Sequence, residues 1–364
     1  MVKEPRIMIA MSGGVDSAVS ALAVKNAGFE CAGGTMKLFD EELLGRPITS
    51  SCCSIDDVDD AKDVCHKLGI AHYTINCKRE FIKTVVDPFV AAYNSGSTPN
   101  PCIACNKYLK FDTLLRKAQT MGFDAFATGH YARIEKGKGK LVLKKGFDEK
   151  KDQSYVLHTI RKDQLPYLLF PIGSLAKTEV RNLAESMDMI VADKPESQDI
   201  CFVEDGSIDS FIAQYTGKES KTGCSGKIIN KCGDILGRFD ESQHFTIGQR
   251  KGLNVAVGHP VYVVDIDMQN RVVTVGERED LIREKVWVDQ FNWISHDPKV
   301  GDKFKCTAKI RYNMKDVKCK VKIKDNDEVR VKFTDGISAP AKGQSLVLYD
   351  GDVVLGGGYI SRSK

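Results

Sequence analysis

Two groups of residues in this chain have types and spacings that can do chemistry. The first is Ser12-Gly13-Gly14-Val15-Asp16-Ser17. It lies between Arg6-Ile-Met-Ile-Ala-Met11, an apolar run of strand length, and Ser17-Ala-Val-Ser-Ala-Leu-Ala-Val, a helix pattern stopped by Gly28. A strand that feeds a helix through a glycine-rich turn presents backbone N–H groups at a helix N-terminus, and that arrangement favours phosphate. Gly13 and Gly14 permit close backbone approach, while Ser12 and Ser17 add hydroxyls. The lysine of the common Walker loop is absent. The second group is made of thiols. Cys102 and Cys105 follow Thr98-Pro-Asn-Pro101 at C-x-x-C spacing and open a helix-like run; Cys201 closes the polar stretch Lys194-Pro-Glu-Ser-Gln-Asp-Ile200. A thiol at a helix N-terminus ionises more readily and is the better nucleophile. Half a zinc site, a redox pair, a cluster ligand set and a sulfur-transfer nucleophile are the readings open to it. Zinc needs a second spaced pair, and Cys52-Cys53 is adjacent, which disfavours zinc.

These residues need elements to hold them. Phe29–Met36 reads as a second strand, 56–69 as an acid-led helix, and Ile70–Asn76 as a third strand. Strand alternating with helix predicts an α/β fold with a doubly wound parallel sheet. Ligands of such sheets sit beyond the carboxyl ends of the strands at a switch point. Met36 and the pair Gly129-His130 fall at such strand ends, and Lys150–Tyr155 is a polar turn leading into an apolar helix. Near residue 205 the texture changes to short strands with dense Gly, Lys and Asp, and from about 280 it is all β. Lys318, Lys320, Lys322 and Lys324 alternate with Cys319, Val321 and Ile323, so one strand face carries four lysines. Lys303, Lys305, Lys309 and Arg311 also share parity. The expected organisation is a catalytic unit over 1–205, a small mixed β central unit over 206–280, and a C-terminal β-barrel with a basic wall over 281–364.

Composition narrows the class. The 364 residues are 42% hydrophobic and 28% charged, which excludes disorder and collagen-like chains. No apolar run is long enough to span a membrane, and the N-terminus enters a strand without a signal-peptide core, so a cytoplasmic chain is expected. In that compartment the 12 cysteines are thiols rather than staples. Cys31, Cys65, Cys77, Cys224, Cys232, Cys306 and Cys319 stand singly and read as inert buried residues. The net charge of +4 is uneven: residues 281–364 hold 17 Lys+Arg against 11 Asp+Glu, and the rest of the chain is near neutral. A basic end on a neutral body points to a polyanionic partner, with a solvated strand face as the plain alternative.

The string Ser-Gly-Gly-Val-Asp-Ser resembles the pyrophosphate loop of the N-type ATP pyrophosphatases. Further stretches make the likeness narrower: Thr98-Pro-Asn-Pro with Cys105-Asn106, Ala127-Thr-Gly-His-Tyr-Ala-Arg133, Asp152-Gln-Ser-Tyr155, Ser197-Gln-Asp-Ile-Cys-Phe202, Thr246-Ile-Gly-Gln-Arg-Lys-Gly-Leu253, Ile310-Arg-Tyr312 and Gly356-Gly-Gly358. Over essentially its whole length the sequence resembles the tRNA-specific 2-thiouridylases. That resemblance implies ATP, with Mg²⁺, at Ala10, Met11, Ser12, Gly13, Gly14, Val15, Asp16, Ser17, Met36 and Gly129. It implies Cys105 as nucleophile and Cys201 as carrier of a persulfide sulfur delivered by a donor protein, with a Cys105–Cys201 disulfide formed in the cycle. Asn100, Pro101 and Cys102 would contact the target base; His130, Asp152, Gln153, Ser154, Arg311, Tyr312 and Gln344 would contact the tRNA anticodon stem-loop. A monomer is expected.

Three features depart from the family pattern. Many members carry Asp where Cys102 stands, Lys342 replaces a proline, and Gly237-Arg-Phe-Asp-Glu241 replaces a Gly-x-His-x-Gly segment. With Cys102 present, Cys102, Cys105 and Cys201 also suit a 4Fe-4S cluster with one open iron. Two other classes stand further off: another ATP pyrophosphatase such as an amide-forming synthetase, and a non-catalytic RNA- or metal-binding relative.

Overall fold

A computed structural model describes residues 4–38, 55–137, 139–195, 200–203, 207–217, 226–240, 243–324 and 328–364. The pair Cys52-Cys53, Cys224 and the segment Ser197–Asp199 lie outside the described residues.

The first sheet is parallel, with strand order β3-β2-β1-β4-β7. Its strands are β1 (Ile7–Ala10), β2 (Cys31–Lys37), β3 (Ala71–Asn76), β4 (Ala125–Ala127) and, after a hairpin, β7 (Leu168–Leu169). Ile7, Met8 and Ile9 of β1 are buried, as a central strand covered on both faces requires. From β1 the chain winds outward through β2 to β3 on one side, then returns to β4 on the other. The gap between β1 and β4 is thus the topological switch point, and the carboxyl end of β1 opens there. The helix Val15–Asn26 buries residues around most of its surface, with Ala18 and Ala21 small enough for close packing on the sheet.

The central unit is a mixed sheet, β10-β11-β8-β9, built from β8 (Gly226–Ile229), β9 (Ile235–Phe239), β10 (Tyr262–Asp267) and β11 (Val272–Gly276); only β11 and β8 run parallel. The C-terminal unit is a closed antiparallel barrel in the order β12-β15-β14-β13-β16-β17, sealed by β12 pairing with β17. Its strands are β12 (Ile282–Trp293), β13 (Lys303–Lys309), β14 (Val317–Ile323), β15 (Val329–Ser338), β16 (Ser345–Asp350) and β17 (Val353–Ser363). Val321, Ile323, Val331 and Phe333 point into its core. Closure removes the exposed edges that open sheets must protect.

One connection was not legible in the sequence. The hairpin β5 (Ala132–Gly137) and β6 (Lys140–Lys145) follows directly on the parallel sheet, yet it joins the barrel's sheet through Lys144 and Val353. Arg133 adds an ion pair to Asp352 at 3.2 Å, and Lys145 pairs with Asp316 at 2.6 Å. Behind the hairpin, Tyr155 Oη donates to the Ser345 carbonyl at 2.9 Å, and Asn292 Nδ2 donates to the carbonyls of His158 and Ile160. The core reflects this union: Val347, Tyr349 and Val354 of the barrel lie in the same cluster as Phe81, Phe89 and Phe126.

The strand parities hold for β14, where Cys319, Val321 and Ile323 are buried between exposed or half-exposed lysines. Lys309 departs from the expected basic face. It is 9% exposed, and its ammonium faces Asp152 at 3.4 Å and Asp316 at 3.9 Å, so it joins two units rather than meeting solvent. Among the single cysteines, Cys232 also departs from expectation: it is exposed, in the turn after β8, where Asn230 Oδ1 accepts from its N–H. Among the described residues no helix is long and apolar enough to cross a membrane.

Candidate active site

The loop Met11–Gly14 leaves β1 at the switch point and starts the Val15–Asn26 helix, whose N-cap Gly14 supplies no side-chain hydrogen bond. The first-turn N–H groups of such a helix have no intrahelical acceptors, and an anion can satisfy them. The loop is fixed from inside: Ser17 Oγ accepts from Ser12 N at 3.2 Å and donates to the Gly14 carbonyl at 2.9 Å. Gly13 has φ +67°, and a Cβ there would stand 2.4 Å from the Asp57 carbonyl oxygen. Gly129, just beyond β4, is equally confined, because a Cβ would meet the Asp16 and Ser17 backbone at 2.8–2.9 Å. Both glycines therefore let backbone pack on backbone around the loop. Asp16, Ser12 and Ser17 are hard oxygen donors of the kind Mg²⁺ takes, so the loop fits that ion.

Two cations that sequence reasoning passed over flank the loop. Lys177 opens the helix Lys177–Ser186, and its ammonium meets Asp16 Oδ1 at 2.7 Å with the residue only 8% exposed. Tyr131 Oη donates to the same oxygen at 2.7 Å. On the other side, Lys194 Nζ reaches Asp57 Oδ1 at 2.6 Å, Asp60 Oδ2 at 2.5 Å and the Gly13 carbonyl at 3.2 Å. Asp57 and Asp60 belong to the acidic start of the helix Ile55–Lys67. No local pattern marks either lysine, since each acts on partners more than 130 positions away.

The thiols lie on two supports. Asn100 Oδ1 accepts from the N–H groups of Cys102 and Ile103 at 3.0 and 3.4 Å and so caps the turn Pro101–Ala104. That turn continues through wide π-type turns over Cys105–Leu114 into Leu115–Thr120. Long π segments are rare and often sit at functional sites. Cys102 is exposed, while Cys105 and Cys201 are half-buried. Cys105 and Cys201 pack against the same core. Phe202 anchors the second thiol, meeting Phe81, Phe89 and Phe211 with ring centroids 5.0–5.6 Å apart. Asn106, 2% exposed, donates from Nδ2 to the Val156 carbonyl at 3.0 Å, and its Oδ1 has no partner among the described residues. Among the described residues no three His, Cys, Asp or Glu side chains gather as metal ligands.

The approach to the thiols is fixed by all three units. Thr98 N donates to the Lys342 carbonyl at 2.8 Å, Gln344 Nε2 donates to the Thr98 carbonyl at 3.0 Å, and the Thr98 hydroxyl donates to that of Thr246 at 3.1 Å. The expected RNA contacts divide by exposure. Arg311 is exposed, with one guanidinium N–H on the Ala339 carbonyl, and Gln153, Tyr312 and Gln344 are half-buried. His130, Asp152 and Ser154 are buried. His130 Nδ1 lies 2.7 Å from the Thr128 hydroxyl, and burial pushes its pKa well below the usual imidazole value, which keeps it neutral. Asp152 accepts from Gly146 N, Ser154 N and Ser154 Oγ, which forms the turn. Met36, 7% exposed, packs in the core at the end of β2.

A parallel sheet with a glycine-rich loop at its switch point defines a nucleotide-binding α/β protein of pyrophosphate-loop type. The family described as tRNA methyl transferase HUP domain matches residues 5–205. Those described as tRNA methyl transferase PRC-barrel domain and Aminomethyltransferase beta-barrel domain match 209–277 and 283–360. The chain is 40% identical to the tRNA-specific 2-thiouridylase MnmA of Clostridioides difficile (strain 630), covering 100% of both chains. It is 42% identical to that of Acetivibrio thermocellus, covering 99% of this chain and 100% of the relative. The chain belongs to the tRNA-specific 2-thiouridylase family. Among solved structures it is similar to a 4-thiouridine synthetase in complex with RNA and bound ATP. There the identity is 15% and the TM-score 0.37, over 54% of this chain and 45% of that one, a likeness too weak to carry any argument.

Proposed function

We propose that this protein uses ATP to replace the C2 oxygen of the wobble uridine of tRNA by sulfur. The observation that carries the reading is one convergence. The segment leading to Asn100, Cys102 and Cys105 is fixed by the barrel and the central unit through Thr98, on a sheet whose switch point holds a phosphate-type loop. The proposed division of the chain is 1–205, 206–280 and 281–364, acting as a monomer in the cytoplasm.

A uridine carbonyl is a poor electrophile because oxide leaves badly. Attack of O2 on the α-phosphorus of ATP expels pyrophosphate and makes AMP the leaving group instead. The N–H groups of the loop at Gly13–Ser17 stabilise the departing pyrophosphate, and Mg²⁺ supplies further charge neutralisation when bound. Asn100, Pro101 and Cys102 hold the splayed base, with Met36 and Gly129 on the nucleotide side. Cys201 carries a persulfide delivered by a donor protein. The Cys105 thiolate attacks Cys201 Sγ, which forms the Cys105–Cys201 disulfide and releases hydrosulfide. Hydrosulfide adds to C2 and displaces AMP. The outer sulfur gains the two electrons that the two thiols lose, and a thiol reductant reopens the disulfide.

RNA is held through Arg311, Tyr312, Gln344 and the turn Asp152–Ser154, whose buried Asp152 and Ser154 shape the backbone that RNA meets. His130, neutral and buried, supports the same floor. Lys303 and Lys305 of β13 and the lysines of β14 face outward for the phosphates of the anticodon stem.

Single-turnover thiolation with a persulfide donor, performed anaerobically on a protein of measured iron content, tests the reading. Colourless protein forming 2-thiouridine, with Cys105→Ser and Cys201→Ser each inactive, is the expected result. Full sulfur transfer by either variant, or activity that follows iron content, would overturn this route.

A further inference from the structure

We propose that Lys194 is a positioning residue for the pyrophosphate loop. Its ammonium pairs with two carboxylates that would otherwise repel the triphosphate, offsetting one of their two charges, and it clasps the loop at Gly13. The inference rests on the ATP reading above and assigns a role to a side chain outside the loop motif.

The geometry gives one cation three oxygen acceptors on two elements. Asp57 and Asp60 come from the Ile55–Lys67 helix, and the Gly13 carbonyl comes from the loop, at 2.6, 2.5 and 3.2 Å. The helix start cannot stand back from the loop, because the Asp57 backbone lies where a Gly13 side chain would be. Asp57 is only 5% exposed, so water screens its carboxylate poorly. The packing that shapes the loop thus places two acids beside a site meant for a polyanion. Lys194 resolves that conflict, and its side chain, 32% exposed, stays at the rim rather than in the loop itself. Lys177 is placed differently: it meets the acid of the loop, Asp16, from the opposite side.

The test is equilibrium binding of ATP with Mg²⁺, read by calorimetry. Wild type is compared with Lys194→Met, Lys194→Arg and the triple variant Lys194→Met/Asp57→Asn/Asp60→Asn, and tRNA affinity is read in parallel. Lys194→Met is expected to weaken ATP binding on the order of tenfold, the effect of two uncompensated carboxylates, one of them buried, beside a triphosphate. tRNA affinity should stay at the wild-type value. Lys194→Arg should retain ATP binding, and the triple variant should recover it, because removing both acids removes the need for the cation. Unchanged ATP affinity in Lys194→Met overturns the role. Weakened affinity that the triple variant does not recover also overturns it, since the lysine would then be only a brace. Should Lys194→Met fail to fold, the triple variant decides alone: near-wild-type affinity supports the proposal, and tenfold loss overturns it. A wild-type protein that binds no ATP would overturn the functional reading as well, a result separate from all the others.

Discussion

The Tyr131 hydroxyl donates to Asp16 Oδ1 at 2.7 Å, the same oxygen that the Lys177 ammonium meets. The acid of the loop is thus held by a residue past β4 and by one that starts a later helix. Tyr131→Phe removes the neutral donor while Lys177 keeps the charge paired. A loss of about 1 kcal/mol in stability is expected from one such hydrogen bond. A several-fold rise in the KM for ATP, with the KM for tRNA unchanged, should accompany it. Urea melts and initial rates check both, and a tRNA-side change would contradict the assignment.

Lys309 and Asp152 join the barrel to the turn before Tyr155, and both are under 10% exposed. Lys309→Met leaves Asp152 buried with three hydrogen-bond donors and, among the described residues, no counter-charge. The cost should be about 3 kcal/mol, as for a broken buried pair. Adding Asp152→Asn should return part of it. Denaturant midpoints of the two variants decide the point; a Lys309→Met protein as stable as wild type would count against a buried pair.

His158 is 1% exposed, its Nε2 lies 2.8 Å from the Ser345 hydroxyl, and burial lowers its pKa to about 4. The unfolded chain binds this proton near pH 6.5, so unfolding takes up a proton between pH 6.5 and 4. Stability therefore falls as pH falls through that window, by about 3 kcal/mol in all for this residue. A His158→Gln variant should show a flatter pH dependence there than wild type. Equal slopes would remove His158 as the cause.

The outward lysines of β13 and β14 form a grid: Lys303 lies opposite Lys322, and Lys305 opposite Lys320. Among the described residues none of these four is in an ion pair, and the charges of Lys324, Lys303 and Arg330 lower the Lys322 pKa. Replacing Lys318, Lys320 and Lys322 by Gln should flatten the log–log salt dependence of tRNA binding by about 2 to 3, one contact each. Nucleotide binding should not change. A slope identical to wild type would assign these lysines to solvent alone.

The loop and the thiol helix were legible because their signals are local. Gly13-Gly14 between an apolar run and a helix pattern, and Asn100-Pro101 before Cys102, are each contained within a few residues. Lys177, Lys194 and the Tyr131 hydroxyl were not legible, since their partners lie more than 110 positions away and any lysine on a polar stretch looks solvated. Parity placed the lysines of β14 correctly on one face. It could not show that the same outward face of β13 is covered at Lys309, because the covering turn comes from another unit. Asn106 stood in a quoted motif beside Cys105, yet its hold on Val156 depends on a turn fifty residues on.

The pairing of Lys144 with Val353 spans 209 positions of chain. On a translating ribosome, β6 emerges with one side unpaired and must wait until β17 has been made. At bacterial rates of about 5–20 residues per second, that interval is roughly 10 to 40 s. During it the hairpin presents an open strand edge, the kind of surface that recruits chaperones or pairs wrongly. The half that is synthesised first is therefore completed last, and a truncation that removes β17 takes away the partner of β6 and the strand that closes the barrel together.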